Sequence, residues 1–131
     1  MPDYEVVVEG DGRRVVMSGG LDKDYRKIAT KDKASLRRWM ENWCGDVEGA
    51  MPDTRMKAQE RFSDVKGRTV LIIAFKSYQA RLYGFIRRVA ERDTFFVTAI
   101  DPDKKDDDAD PKVLKRAKLE AFRILEVMNL R

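Results

Sequence analysis

Histidine is missing from this chain altogether, and cysteine occurs once, at Cys44. The first absence removes imidazole acid–base pairs, His-containing triads and His-liganded metals in one step. With one thiol and no imidazole, the usual nitrogen and sulfur ligands of zinc are nearly absent and a zinc site is not expected. A single cysteine also allows no internal disulfide, which fits a reducing compartment. No stretch approaches the roughly 18 consecutive apolar residues of a membrane span, and the N-terminus shows no charged-then-apolar leader. The expectation is a soluble, cytoplasmic protein with no metal, no cofactor and no membrane partner. A large charge excess is lacking too. The 27 basic and 23 acidic residues leave a net charge of +4 and a pI of about 9.2. That balance is compatible with a nucleic-acid partner without demanding one. At 131 residues the chain is expected to be one domain with one core, residues 1–131.

What is present is concentrated between Thr69 and Lys105. Val70-Leu71-Ile72-Ile73-Ala74-Phe75 is an unbroken apolar run, short and rich in β-branched residues, and it reads as a central strand. Arg81 to Ile86 and Thr94 to Ile100 follow as two more strands. The links between them, Lys76 to Ala80 and Arg87 to Asp93, are short and polar, which favours antiparallel neighbours. Upstream, Tyr4 to Val8 and Arg14 to Met17 flank Gly10-Asp11-Gly12 and suggest an N-terminal hairpin or strand extension within residues 1–20. A short helix is expected over Asp22 to Ala29. A clearer one runs from Lys33 to Cys44, with Leu36, Trp39, Met40 and Trp43 as its buried stripe, Asp32 as its cap and Gly45 as its stop. Asp46 to Arg68 shows no strong period and reads as a loop with a basic end. Its charge suits either a solvated linker or a phosphate-binding rim that includes Arg68. Pro111 to Asn129 is the strongest helix. Asp110 caps it, Pro111 opens it, and Leu114, Ala117, Ala121, Leu125 and Met128 form its stripe. The class is α+β: an antiparallel sheet of four or five strands, two N-terminal helices and one C-terminal helix, with the helices on one side.

The segments Phe75-Lys76-Ser77, Arg81-Leu82-Tyr83-Gly84-Phe85, Phe95-Phe96-Val97-Thr98, Asp103-Lys104-Lys105 and Leu114-Lys115-Arg116-Ala117 stand in a fixed order. In that order they resemble the RelE/ParE/HigB superfamily of toxins from type II toxin–antitoxin pairs, in its HigB-like, phage-derived branch. The resemblance spans about residues 60–125. It implies a ribosome-dependent, metal-independent mRNA endonuclease in which the ribose 2′-OH attacks the adjacent phosphate. It also implies a cognate antitoxin as partner, with mRNA and the ribosome as targets; homodimerisation stays open. Carried over position by position, Arg81 would hold the scissile phosphate. Lys104 or Lys105 would stabilise charge or act as the acid. Tyr83 would stack on a base or carry a proton. Lys76 lies near the family's strand-end lysines, and with Arg68, Arg87 and Arg88, which no family position singles out, it completes the candidate RNA- and phosphate-binding set. A catalytically inert or ParE-like protein-binding member of the same fold is the alternative. The residues also have plainer readings: Arg81 paired with Asp101, Tyr83 and Phe85 in the core, Lys104 and Lys105 as solvated turn residues.

Overall fold

The structure, a computed structural model, describes residues 4–45, 54–104 and 109–131. Strands β1 (Tyr4–Glu9) and β2 (Arg13–Ser18) form the expected N-terminal hairpin. Gly10 closes it by donating its N–H to the Arg13 carbonyl at 2.8 Å. A Cβ at Gly10 would collide with the Cys44 carbonyl, so the helix end packed there needs glycine. A 3₁₀ turn (Gly19–Leu21) leads to the short helix α1 (Asp22–Arg26) and to α2 (Thr30–Cys44). Strands β3 (Met56–Ser63), β4 (Thr69–Lys76), β5 (Arg81–Val89) and β6 (Arg92–Asp101) follow, then α3 (Pro111–Val127). Among the described residues, no helix is long and apolar enough to cross a membrane.

The six strands form one mixed sheet in the order β1-β2-β6-β5-β4-β3. Every neighbouring pair is antiparallel except β2 and β6, which run parallel with Val15 opposite Phe95 and Met17 opposite Val97. This corrects the expected antiparallel sheet of four or five strands in two ways. The segment from Met56 to Ser63, expected as loop, is an edge strand that pairs with β4. Its charged residues face solvent and blunt the edge. The apolar run of β4 is therefore fifth of six strands, and β6 and β5 hold the middle. The β5–β6 hairpin is also tighter than expected. Its two turn residues, Ala90 and Glu91, have φ of 50° and 66°, the primed-turn geometry that joins strands most closely. Arg87, Arg88 and Arg92 are consequently strand residues.

Both faces of the sheet are covered, by helices on opposite sides rather than on one. Alternate residues along β6 divide between two cores. Phe95, Val97 and Ile100 pack toward α1 and α2 with Leu36, Met40 and Trp43; Phe96 and Ala99 pack toward α3 with Ala117, Ala121, Ile124 and Leu125. The alternation slips by one residue because Thr98 is a β-bulge: Tyr83 pairs with Ala99 and Gly84 with Val97. In the first core Trp43 meets Phe75 and Phe95 edge-on, at 6.3 and 6.2 Å between ring centroids. Trp39, expected in the same stripe, is half-buried at the margin of that core.

The helix ends follow local chemistry in part. The Asp110 carboxylate accepts from the Lys112 N–H at 2.9 Å with Pro111 just inside, as expected. At the other end of α3, Asn129 takes φ of 55°, and Leu130 N–H reaches back to the Leu125 carbonyl at 2.8 Å, a Schellman closure. Gly45 ends α2. Asp32 does not cap α2, which starts earlier, at Thr30. It is buried in the first turn and accepts a hydrogen bond from Ser77 Oγ at 2.8 Å.

Candidate nucleic-acid interface

The turn between β4 and β5, Ser77 to Ala80, is the point where distant segments meet. The Ser77 hydroxyl is tied to Asp32 on α2. The Lys76 N–H donates to the Arg55 carbonyl at 2.7 Å, which brings the start of β3 alongside. The Lys104 N–H donates to the Gln79 carbonyl at 2.5 Å, which brings the exit of β6 to the same turn. The Arg81 guanidinium donates from Nη1 to the carbonyls of Ser77 at 2.6 Å and Ala80 at 2.9 Å. Three of the candidate residues, Lys76, Arg81 and Lys104, are thus gathered at one end of the sheet. Lys104 is itself 7% exposed. Lys105 and Asp106–Asp108 lie outside the described residues.

On the outer side of this turn the ring of Tyr78 is 62% exposed. Lys31 Nζ stands 4.4 Å from its centroid and the Arg55 guanidinium 5.6 Å. Arg55 is also 5.6 Å from the Trp39 ring, over which Arg38 stands at the same distance. Lys31, Arg38 and Trp39 occur at i, i+7 and i+8 of α2, which places them along one face of the helix. These side chains line a shallow groove of about 310 Å³. Three of its lining residues are cationic and none is acidic. Each cation–π contact at such an exposed site is worth about 0.5–1 kcal/mol, enough to bias side-chain positions without locking them. Helical spacing alone places Trp39 in the core and leaves Tyr78 without a role. The available signal was a tryptophan beside Arg37-Arg38 on a helix, with a tyrosine in a polar turn. Only their juxtaposition gives those two features a common meaning.

Tyr83 does not join this cluster. Its ring is fully buried in the α3-side core, and among the described residues its hydroxyl has no hydrogen-bond partner. Burial, reinforced by the negative charge of Asp101, pushes the phenol up to about 12. The group is thus neutral at ordinary pH and enclosed by the core. The shared face expected for Arg81 and Tyr83 is the face beneath α3, so the expected open pair does not form. Cys44 is likewise buried, its thiol pushed up to about 11 by burial. It is a packing residue and not a nucleophile.

The remaining candidate phosphate contacts lie at the other end of the strands. Arg87 and Arg88 are six and seven positions along β5 from Arg81, which is about 20 Å at strand rise. Arg87 donates from Nε to the Arg131 carbonyl at 2.9 Å and from Nη2 to the Thr69 carbonyl, with its guanidinium 5.5 Å from the Phe85 ring. Burial lowers its pKa. Arg88 pairs with Asp93 at 3.2 Å. Arg68 binds Asp64 at 2.7 Å and Glu126 at 3.0 Å, and Lys66 binds Glu126 at 2.8 Å, which staples the β3–β4 turn to the end of α3. The Glu126 carboxyl is held below its usual range by Lys66 first and Arg68 second. These three arginines are committed to protein groups, and the expected single phosphate rim is split between two ends of the sheet.

Among the described residues, no group of three or more His, Cys, Asp or Glu side chains is placed to hold a metal ion. Compared with protein-family models, with curated proteins and with solved structures, the chain matches none of them.

Proposed function

We propose that this chain is an RNA-directed toxin of the RelE/HigB kind, which engages mRNA on the ribosome and cleaves it without a metal, and that the β4–β5 turn is its RNA-facing end. The observation that carries the reading is the gathering of Lys76, Arg81 and Lys104 at a turn whose outer side is lined by Lys31, Arg38 and Arg55. In the proposed reaction the ribose 2′-oxygen forms a bond to the adjacent phosphorus and gives up its proton. The bond to the 5′-oxygen breaks, and that oxygen takes a proton. Charge accumulates on the non-bridging phosphate oxygens, and preorganised cations stabilise it. Arg81 suits this place because its guanidinium is already oriented by two carbonyls and keeps further N–H groups to offer. With Tyr83 buried, Tyr78 is the tyrosine that presents a phenol to substrate here. An antitoxin would have an apolar seat between the β3–β4 turn and α3, where Val65 and Leu119 are exposed beside Phe122.

A second reading, a binding protein of the same type with no catalysis, is favoured by one observation: two Arg81 hydrogen bonds go to its own turn while the Tyr83 hydroxyl is enclosed in the core. The experiment is regulated expression in a bacterium, with growth and mRNA 5′ ends followed together. The toxin reading expects growth arrest and new 5′ ends. Arg81→Lys, which keeps a charge but loses the fork, should reduce cleavage on the order of 10²–10³-fold. Expression that neither slows growth nor creates new 5′ ends overturns the cleavage reading and leaves the binding one.

A further inference from the structure

The groove between α2 and the β4–β5 turn is more than a charged rim. Two rings of different kinds, the half-buried indole of Trp39 and the exposed phenol of Tyr78, are bridged by one guanidinium, Arg55, at 5.6 Å from each centroid. Lys31 stands 4.4 Å from the Tyr78 centroid and Arg38 5.6 Å from that of Trp39. A cation resting on a ring is exchangeable. If a base slides onto the ring, it displaces the cation and frees that cation for the phosphate next to the base. Alternating aromatic and cationic groups are what single strands require, because their bases are unstacked and each brings a phosphate. A duplex hides its base faces and would use only the charges.

We infer that Trp39 and Tyr78 form a stacking platform for two bases of a single-stranded RNA, with Lys31, Arg38 and Arg55 on the intervening phosphates. The choice of RNA over DNA rests on the function proposed above; the stacking itself rests on the groove. Tyr78 stands on the turn to which the Arg81 guanidinium and the Lys104 N–H are bonded, so the platform and those two residues share one end of the sheet.

The test uses the full chain and four probes: an eight-nucleotide RNA, the same sequence as a duplex, a mononucleotide, and polyphosphate of matched charge. Affinity is measured together with tryptophan fluorescence. Single-stranded RNA should bind tightest and quench the emission of Trp39. Trp39→Leu should abolish the quench, because the remaining Trp43 is buried. Trp39→Leu and Tyr78→Leu should each weaken single-strand binding roughly 5- to 150-fold while changing polyphosphate binding little. Tyr78 is largely exposed, so its variant reports even if Trp39→Leu folds poorly. Equal affinity for duplex, for the mononucleotide or for polyphosphate overturns the inference. So does Tyr78→Leu with unchanged affinity. A polyglutamate peptide that binds as tightly as RNA with the same dependence on Tyr78 assigns the groove to an acidic protein instead. Absence of new mRNA ends in cells, with Tyr78-dependent single-strand binding intact, removes the nuclease reading alone.

Discussion

Replacing Tyr83 by phenylalanine removes one oxygen atom and separates a structural tyrosine from a catalytic one. The hydroxyl is buried in the α3-side core, with no hydrogen-bond partner among the described residues. Leaving such a group unsatisfied costs about 1–3 kcal/mol. Phenylalanine recovers that penalty and loses a little packing where the oxygen was. The net expectation is a gain of about 1 kcal/mol, or roughly 3–5 °C in Tm for a chain of this size. Alkaline pH adds a second, independent readout. The phenol ionises at about 12 in the folded protein against its ordinary 10.0. Between those values the unfolded state binds fewer protons, so the stability contributed by the neutral phenol is complete below pH 10 and is lost as pH rises through 12. Over that window the wild type should lose about 2 kcal/mol that Tyr83→Phe retains. Urea titrations of both proteins at pH 7, 9, 10.5 and 11.5 measure the difference, and the lysines common to both cancel. A Tyr83→Phe variant less stable at pH 7, or with the same alkaline loss as the wild type, would refute the placement of the hydroxyl. Loss of growth arrest in a stable Tyr83→Phe protein would return Tyr83 to the catalytic set.

Gly84→Ala should be among the most damaging single changes. A Cβ there would enter the Phe96 carbonyl and the Phe95 ring at the point where the β5–β6 ladder bulges, and a loss of about 3 kcal/mol or more is expected in urea unfolding. Asp110→Ala should lose about 0.5–2 kcal/mol by removing the acceptor of the Lys112 N–H at the start of α3, whereas Asp110→Asn should lose less; thermal melts of the pair check the cap.

The elements whose cause is local were legible in the residues. The Gly10-Asp11-Gly12 hairpin, the amphipathic α2 and α3, the Asp110-Pro111 start and the three strands from Thr69 to Asp101 each depend on neighbours a few positions away. Cover on both faces of the sheet is also legible in the residues. The apolar run of β4 from Val70 to Phe75, and that of β6 from Phe95 to Ile100 with Thr98 alone interrupting it, put apolar residues on both faces, which requires cover on both sides of the sheet. The pattern of β3, in contrast, is charged and aperiodic because an edge strand is selected for solubility more than for burial.

What only the tertiary structure decided is which side chains meet. The parallel pairing of β2 with β6 depends on a crossover through two helices and three strands, which no short-range signal encodes. Asp32 looked like a cap because a carboxylate near a helix start usually is one; the long-range approach of Ser77 gave it a different partner. Arg68, Arg87 and Arg88 looked equivalent to Lys76 and Arg81 in composition, yet an extended strand separates residues in proportion to their spacing and carried the two groups to opposite ends. Trp39 and Tyr78 are on a helix and a turn with nothing in sequence to link them. Their meeting across Arg55 exists because α2 packs on the same end of the sheet as the β4–β5 turn.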